Sequence, residues 1–270
     1  MTRALPNAAS TPGATPRLLL LLLLPCLLLS ADVHAQGASP WTHESLIAID
    51  PSLVAARAPD LASFVPAGWV RGLLIEGDLT SDGVADAAWL MCSESGLERL
   101  AQEPTCGACA PRLTVPCALA VARREASGWS RIGLHRHVPH TTESSLHGLD
   151  IDARGILHVH YTHGGHYSAA EYHWKYRWQR SHLRMRLIGL DSTDRSQNDP
   201  DEEHSTNWLT RRDLLRRCHF DNTVAGDRRC EPWRQGSRPP PGWFFLEDGW
   251  THVLGPAPGR RLWPFGADPR

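Results

Sequence analysis

The strongest pattern along this chain is a regular alternation of apolar and polar residues between residues 156 and 191. It runs through three segments, Ile156–His163, Glu171–Gln179 and His182–Asp191. In the second segment, one face carries Tyr172, Trp174, Tyr176 and Trp178. Successive side chains of a strand point to opposite faces, so the pattern predicts an antiparallel meander with one buried, aromatic-rich face.

Two more hairpins are predicted upstream of this meander. The first joins Val70–Glu76 to Ala87–Cys92 through a polar turn. The second joins Leu113–Ala122 to Trp129–Val138. Pro116 favours an edge position for its strand, because proline cannot donate a hydrogen bond to a β-ladder.

The other segments lack a period of two. Residues 41–57 have loosely helical apolar spacing, and we expect a short helix there. Residues 93–112 and the acidic residues 191–204 are expected to be loops. Residues 243–246 predict a short strand in a tail rich in proline and arginine.

These patterns predict a mainly β fold, an antiparallel sheet or meander arranged as a sandwich or a strongly curved sheet, with a disulfide-stapled C-terminal extension. We divide the chain into a signal peptide (1–35), a linker with a short helix (36–60), a β-rich domain (61–215) and a C-terminal extension (216–270). An aspartate-rich loop at residues 78–86 lies in the β-rich domain.

The N-terminus has the layout of a secretory signal. Arg3 and Arg17 supply positive charge, Leu18–Leu29 form an apolar core, and a small-x-small site ends at Ala35. The core is about a dozen residues long, which is short for a membrane-spanning helix. We therefore expect cleavage near Ala35 and a periplasmic or extracellular product without stable membrane insertion.

The net charge of the chain does not indicate a polyanionic partner. The 270-residue chain carries 28 Lys and Arg against 29 Asp and Glu, a formal net charge of −1. Such a balance provides no bulk attraction to nucleic acid or to an anionic membrane surface. The expected partner is an envelope component or another protein, and the oligomeric state is open.

The cysteines favour disulfides. Six remain after cleavage: Cys92, Cys106, Cys109, Cys117, Cys218 and Cys230. An even number in an exported chain indicates a disulfide framework. Cys218 and Cys230 are a natural local pair. For Cys106 and Cys109 the alternatives are a redox site or a zinc site. A redox site needs a helix that starts at the first cysteine, and a zinc site needs another cysteine pair at matching spacing; the segment has neither.

The aspartate-rich loop is the first candidate site. Its sequence, DLTSDGVAD, offers oxygen ligands for calcium from Asp78, Thr80, Asp82, Val84 (through its carbonyl) and Asp86. Three carboxylates within nine residues repel one another, which favours a bound cation or wide solvation. The alternative is a metal-free turn, since the same residue types bond the local backbone in tight turns.

Strand histidines are the second candidate site. His135, His137, His158, His160 and His173 are expected on the faces opposite the apolar residues of their strands. Two histidines at positions i and i+2 project in parallel, so pairs on neighbouring strands would hold zinc or copper. The alternative is a solvated outer face.

No motif for nucleophilic catalysis stands out. Ser144, Ser145, Ser168 and Ser205 lack the Gly-x-Ser-x-Gly setting. The aromatic row of the second segment suits a stacking platform for sugars or single-stranded nucleic acid, but core burial is the more ordinary role. The leading hypothesis is a non-enzymatic binding or interaction module of unknown ligand, stabilised by one calcium. The alternative is a cell-envelope hydrolase with a metal held by strand histidines.

The order of motifs resembles that of exported bacterial proteins of unknown function that carry a single FG-GAP or VCBS-like "GDLNGDGxxD" loop. The resemblance covers about residues 61–250 and implies an exported β-rich domain, with no activity assigned. In this chain Thr80 and Ser81 replace the usual Asn and Gly of the loop. The matching segments are PAGW from Pro66, the Asp78 loop, GILHVHYTHGG from Gly155, EYHWKYRWQ from Glu171, RLIGLD from Arg186, STNWLT from Ser205 and LED from Leu246.

Overall fold

The computed structural model describes residues 48–102, 115–141, 144–164, 168–196, 200–220, 228–236 and 244–248. Within these residues the fold is mainly β, and every strand pair is antiparallel, as the alternation predicted. The predicted signal peptide and the Cys106–Cys109 segment lie outside the described residues.

The strands form two sheets. The first contains β1 (Arg57–Ala58), β2 (Trp69–Gly77), β3 (Asp86–Ser93), β4 (Val115–Glu125) and β5 (Gly128–His140), in the order β1-β5-β4-β3-β2. The second runs β12-β11-β10-β9-β8-β7-β6, and β13 also pairs with β11. Its strands are β6 (Ser144–Ile151), β7 (Ile156–Gly164), β8 (Ser168–Gln179), β9 (Arg184–Ser196), β10 (Asp201–Asn207), β11 (Arg212–Phe220), β12 (Arg228–Cys230) and β13 (Arg234–Gln235).

The two sheets pack face to face as a sandwich, because one cluster of buried side chains draws on both. Leu90, Leu119 and Val121 come from the first sheet, and Val159 and Trp174 from the second. Trp174 has no exposed surface. Tyr172, Trp174 and Tyr176 all lie in this core, so the stacking-platform interpretation was wrong and the ordinary one is confirmed.

A second apolar layer covers the outer face of the first sheet. Ile49, Val54 and Phe64 pack there against Trp89 and the small outer-face residues of β4, Ala118, Ala120 and Ala122. Strands β3 and β4 are therefore buried on both faces. The layer contains the 3₁₀ turns Pro51–Leu53 and Ala62–Phe64. Of the predicted helical segment 41–57, the described part contains only the first of these turns, followed by β1.

Within the described residues, two disulfides each join neighbouring strands. Cys92 on β3 is bonded to Cys117 on β4, and Cys218 on β11 to Cys230 on β12. The predicted Cys218–Cys230 pair is thereby confirmed. Disulfides of this kind are typical of an oxidising extracellular or periplasmic compartment.

Two expected loops are regular secondary structure instead. Part of the expected loop 93–112 is helix α1 (Glu94–Ala101), which Ser93 caps by accepting a hydrogen bond from the Gly96 N–H. Leu97 and Leu100 of this helix pack against the core. The expected acidic loop 191–204 instead continues β9 and begins β10, whose carboxylates pair with arginines of β11 and β12.

Two further features depart from expectation. Strand β4 is central, between β3 and β5, although Pro116 favoured an edge. Pro116 is the second residue of β4 and lies opposite Pro139, so the missing N–H falls at the end of the ladder. The boundary expected after residue 215 falls inside β11, so the extension begins as part of the second sheet. Near the predicted strand 243–246, Phe245 forms an isolated bridge to Arg186.

Candidate functional site

The outer face of the second sheet collects the histidines of β7 and β8. Because Leu157, Val159 and Tyr161 point into the core, His158 and His160 point outward. The register places His160 opposite His173, and His173 opposite Asp191 on β9. We call His147, His158, His160 and His173 the histidine cluster.

Two members of the cluster make a direct contact. The Nδ1 atom of His158 lies 2.7 Å from Nε2 of His173. The other ring nitrogen of each imidazole faces a carboxylate: His158 Nε2 is 3.3 Å from Asp152 Oδ2, and His173 Nδ1 is 3.8 Å from Asp191 Oδ2. The four side chains thus form a row in the order Asp152, His158, His173, Asp191.

Both carboxylates are held in place by other groups. Asp152 lies in the turn between β6 and β7, where Oδ1 accepts hydrogen bonds from the N–H groups of Arg154 and Ile156. Burial alone would raise the pKa of Asp152, but these bonds and the Arg154 guanidinium hold that pKa below its ordinary value. Asp191 contacts the Lys175 ammonium and accepts a hydrogen bond from the Ser205 hydroxyl at 2.8 Å.

The remaining two histidines border a shallow pocket. His160 stacks on His173 with ring centroids 4.2 Å apart, and the ring centroids of His147 and His160 are 6.1 Å apart. Gly148, opposite His160, makes room for this ring, since a Cβ at position 148 would lie 3.3 Å from His160. The pocket has a volume of about 130 Å³ and is lined by His147, His160, Glu171, Tyr172, His173, Asp191, Ser192 and Thr193.

Crowding favours the neutral form of two of these imidazoles. Burial, followed by the neighbouring His160, Lys175 and His158, lowers the pKa of His173 to about 4, although Asp191 opposes the shift. Burial and then the neighbours His147 and His158 lower the pKa of His160. At neutral pH both rings therefore offer a lone pair, the form that binds metals and accepts hydrogen bonds.

The other two predicted histidines lie elsewhere. His135 and His137 belong to β5 of the first sheet, so the prediction that they could share a site with His158 and His160 was wrong. His135 is also not on a solvated face, since only 3% of its surface is exposed. Burial, followed by the nearby His137, lowers the pKa of His135 to about 3.

The aspartate-rich loop is a tight turn held by hydrogen bonds from its backbone N–H groups to its own carboxylates. Asp78 accepts hydrogen bonds from the N–H groups of Asp82 and Gly83, and Asp82 accepts one from Val84. Gly83 has a φ of 83°, which allows the bend at no steric cost. Asp82 and Val84 lie at the surface, and Asp78 and Thr80 are half-buried.

The third carboxylate of the loop points into the protein. Asp86 has no exposed surface, and its Oδ2 accepts hydrogen bonds from the N–H groups of Leu79 and Thr80. Its Oδ1 accepts a third from Arg124 on β4. Burial raises the pKa of Asp86 against the effect of these bonds. Asp86 therefore ties the loop to the first sheet.

Among the described residues, one group of three His, Cys, Asp or Glu side chains brings its ligand atoms within 4.8 Å of one another: Glu203, Cys218 and Cys230. The two cysteines form a disulfide and are not available as thiolate ligands. Calcium binding by Asp78, Thr80, Asp82, Val84 and Asp86 stays a prediction.

Sequence reasoning missed Asp152, Asp191 and Lys175 as partners of the histidines. The signal for Asp191 was hidden because the register between β8 and β9 shifts after Lys175, which interrupts the count of alternating faces. Asp152 lies in the turn before β7, where an aspartate is common because its side chain bonds the local backbone, so its presence did not indicate a contact with a histidine.

Comparisons with protein-family models, with curated proteins and with solved structures found no match to this chain. The resemblance to exported proteins with a "GDLNGDGxxD" loop therefore stays a prediction. In the described part of the chain, no helix has the length and apolar character needed to cross a membrane.

Proposed function

We propose that this protein is an exported binding module whose ligand occupies the pocket beside the histidine cluster. The observation that carries the proposal is the lining of that pocket of about 130 Å³, which brings His147, His160 and His173 together with Glu171 and Asp191. Clustered donors and acceptors in a concave site are the usual basis of ligand recognition. The export part rests on the N-terminal signal pattern and on the two disulfides.

The size and chemistry of the pocket restrict the ligand. A water molecule takes about 30 Å³ in the liquid, so the pocket has room for roughly four waters or one small polar group. Imidazole, carboxylate and hydroxyl groups suit the hydroxyl or amino group of an envelope component. The proposed ligand is therefore a polar substituent of a larger molecule, with the body of that molecule lying across the outer face of the sheet.

The partner of Ser205 argues against this residue as a hydrolytic nucleophile. Its hydroxyl donates to the Asp191 carboxylate rather than to an imidazole. A serine nucleophile requires a neighbouring general base, most often histidine, to accept its proton. The contact made by Ser205 instead fixes the orientation of Asp191 at the pocket wall.

A bound calcium at the aspartate-rich loop is part of the proposal. Asp78 and Asp82 keep oxygen atoms near the surface, and Val84 supplies a backbone carbonyl. Elemental analysis of the mature protein tests this part. One calcium per chain that a chelator removes, and that Asp82→Ala abolishes, supports it. Absence of calcium, together with a thermal midpoint that chelator does not change, rejects it.

Export is tested first, by mass spectrometry. When the full chain is expressed in a Gram-negative host, the product in the periplasm or medium is expected to begin at Gln36 and to contain disulfides. An uncleaved product that stays in the cytoplasm contradicts the export part of the proposal.

Binding is tested by co-sedimentation of the mature protein with purified peptidoglycan, lipopolysaccharide and outer-membrane fractions. A pocket variant, Glu171→Gln with Thr193→Val, is compared with a matched variant at exposed positions, Glu98→Gln with Thr210→Val. We expect one fraction to retain the native and the matched proteins and to release the pocket variant. Equal retention of all three proteins, or retention by no fraction, refutes the pocket as a binding site.

A further inference from the structure

Two arginines of the second sheet lie directly opposite each other on neighbouring strands. Arg177 on β8 pairs in the ladder with Arg186 on β9. Because the adjacent residues Tyr176 and Leu187 are buried in the core, both arginines point to the outer face of the sheet. Directly opposite side chains have Cβ atoms about 5 Å apart, so the two guanidinium groups can reach the same bound group.

This like-charged pair contrasts with the charge pairs of β10 and β11. Glu202 lies opposite Arg217 and forms a salt bridge with it at 3.0 Å. Glu203 lies opposite Arg216 and forms one at 2.6 Å. Two like charges in opposite positions instead destabilise a sheet. The like-charged pair therefore lowers the stability of the sheet, and an anion bound between the two guanidinium groups would restore it.

Arg177 has no counter-charge in the described part of the chain. Its side chain is exposed and forms no hydrogen bond or ion pair there. Residues 172–190 contain no Asp or Glu but five basic residues, of which Lys175 and Arg184 are paired with carboxylates from outside this range. Burial, followed by the nearby Arg177, lowers the pKa of Arg186. This part of the outer face is therefore positively charged, although the whole chain has a net charge of −1.

The geometry points to a phosphate-binding site between Arg177 and Arg186 on the outer face of the second sheet. A guanidinium group binds two oxygen atoms of one anion at the same time. A carboxylate has only two oxygens and is satisfied by one such contact. A phosphate monoester offers three acceptor oxygens and a charge of about −1.5 to −2. Two adjacent guanidinium groups therefore suit phosphate better than carboxylate.

This site deepens the proposed function and rests on it for the identity of the phosphorylated molecule. His173 borders the proposed pocket, and Arg177 lies four residues further along the same face of β8, a distance of about 13 Å in a strand. One molecule lying across the outer face can therefore place a polar group in the pocket and a phosphate between the arginines. The expected carrier is a phosphorylated envelope glycan, because a glycan has hydroxyl groups for the pocket beside its phosphates.

The site itself is tested with inorganic phosphate and the mature protein. The site variant is Arg177→Gln with Arg186→Gln, and the charge control, Arg57→Gln with Arg71→Gln, removes the same charge from exposed positions of the first sheet. Thermal midpoints are measured in phosphate and in chloride at equal ionic strength. Phosphate is expected to stabilise the native protein and the charge control more than the site variant, because only the first two bind it. Exclusion of phosphate from protein surfaces stabilises all three alike.

The source of the phosphate is tested by co-sedimentation with lipopolysaccharide, before and after its phosphate groups are removed. The native protein and the charge control are expected to bind the intact form. Removal of the phosphates, or the single substitution Arg177→Gln, is expected to weaken binding at least about 10-fold. Vesicles of phosphatidylcholine and phosphatidylglycerol, which offer phosphate without a glycan, are expected to retain none of the proteins. Circular dichroism shows that each variant is folded.

Four outcomes separate the site from the proposed function. Equal stabilisation of all three proteins by phosphate overturns the site, as does equal binding to lipopolysaccharide with and without phosphate. Retention of the native protein on the vesicles as strongly as on lipopolysaccharide overturns the glycan and favours a membrane surface. Retention of the native protein and the site variant on a fraction that releases the pocket variant refutes the phosphate site and leaves the pocket standing. Stabilisation by phosphate without retention on any fraction supports the site and refutes the proposed function.

Discussion

Acid is expected to destabilise this fold through one buried histidine. His135 on β5 is 3% exposed, and one ring nitrogen accepts a hydrogen bond from the His137 N–H at 3.2 Å. Burial lowers the pKa of His135 from its ordinary 6.5 to about 3. Between these two pH values the unfolded chain binds a proton at this site and the folded chain does not. Stability therefore falls as the pH falls below 6.5.

The magnitude follows from the width of that interval. Each pH unit below 6.5 costs about 1.4 kcal/mol as long as the folded protein stays unprotonated. From pH 7 to pH 5 the loss due to His135 is therefore about 2 kcal/mol, a large fraction of the 5–15 kcal/mol typical of a domain. Asp86, whose pKa burial raises, acts with the opposite sign. Its contribution cancels when two proteins that both contain it are compared.

The comparison is between the native protein and His135→Asn, which keeps an acceptor for the His137 N–H and removes the titrating ring. Urea unfolding is followed by tryptophan fluorescence at pH 7, 6 and 5. The native protein is expected to lose about 2 kcal/mol more than the variant over this range. His219→Gln, a change at an exposed histidine, serves as the control and is expected to follow the native protein. Parallel pH profiles for the native protein and His135→Asn would refute the reasoning.

Three other predictions concern stability. Asp86→Asn replaces a buried acceptor of three backbone N–H groups, and we expect a loss of about 2–4 kcal/mol in the urea free energy of unfolding. Gly155→Ala, at a φ of 70° and with a Cβ only 2.7 Å from a backbone oxygen, is expected to lower the thermal midpoint more than Gly83→Ala. Gly83, at a φ of 83°, has no atom within 4 Å of the added Cβ, so an equal effect contradicts the argument. Replacement of Cys218 and Cys230 by alanine is expected to lower the free energy of unfolding by about 3 kcal/mol. An unchanged urea midpoint would contradict this prediction.

Period-two alternation predicted the second sheet because its inner face is apolar and its outer face polar. The segments Ile156–His163 and Glu171–Gln179 became β7 and β8 with nearly the same bounds. The pattern failed where polar residues occupy both faces. On β10 the carboxylates of Asp201 and Glu203 are paired with arginines rather than solvated, and such pairing is invisible before the neighbouring strand is known.

The candidate site was predicted in part. Alternation identified the outward face of His158, His160 and His173, but which strands are neighbours depends on the whole topology. The same reasoning misplaced His135, because a strand covered on both sides has no solvated face. Alternation assigns two faces to a strand and cannot tell whether another layer covers the second one.

The layer formed by residues 48–65 limits where this chain can be shortened. Residue 61 begins the β-rich domain predicted from the sequence and is a natural choice for the start of a shortened protein. A chain beginning there lacks Ile49 and Val54 and uncovers the alanine strip of β4, a flat apolar surface prone to self-association. The order of synthesis adds a second consequence. Residues 48–65 leave the ribosome before the strands that they cover, so this layer can dock only after β5 has been made.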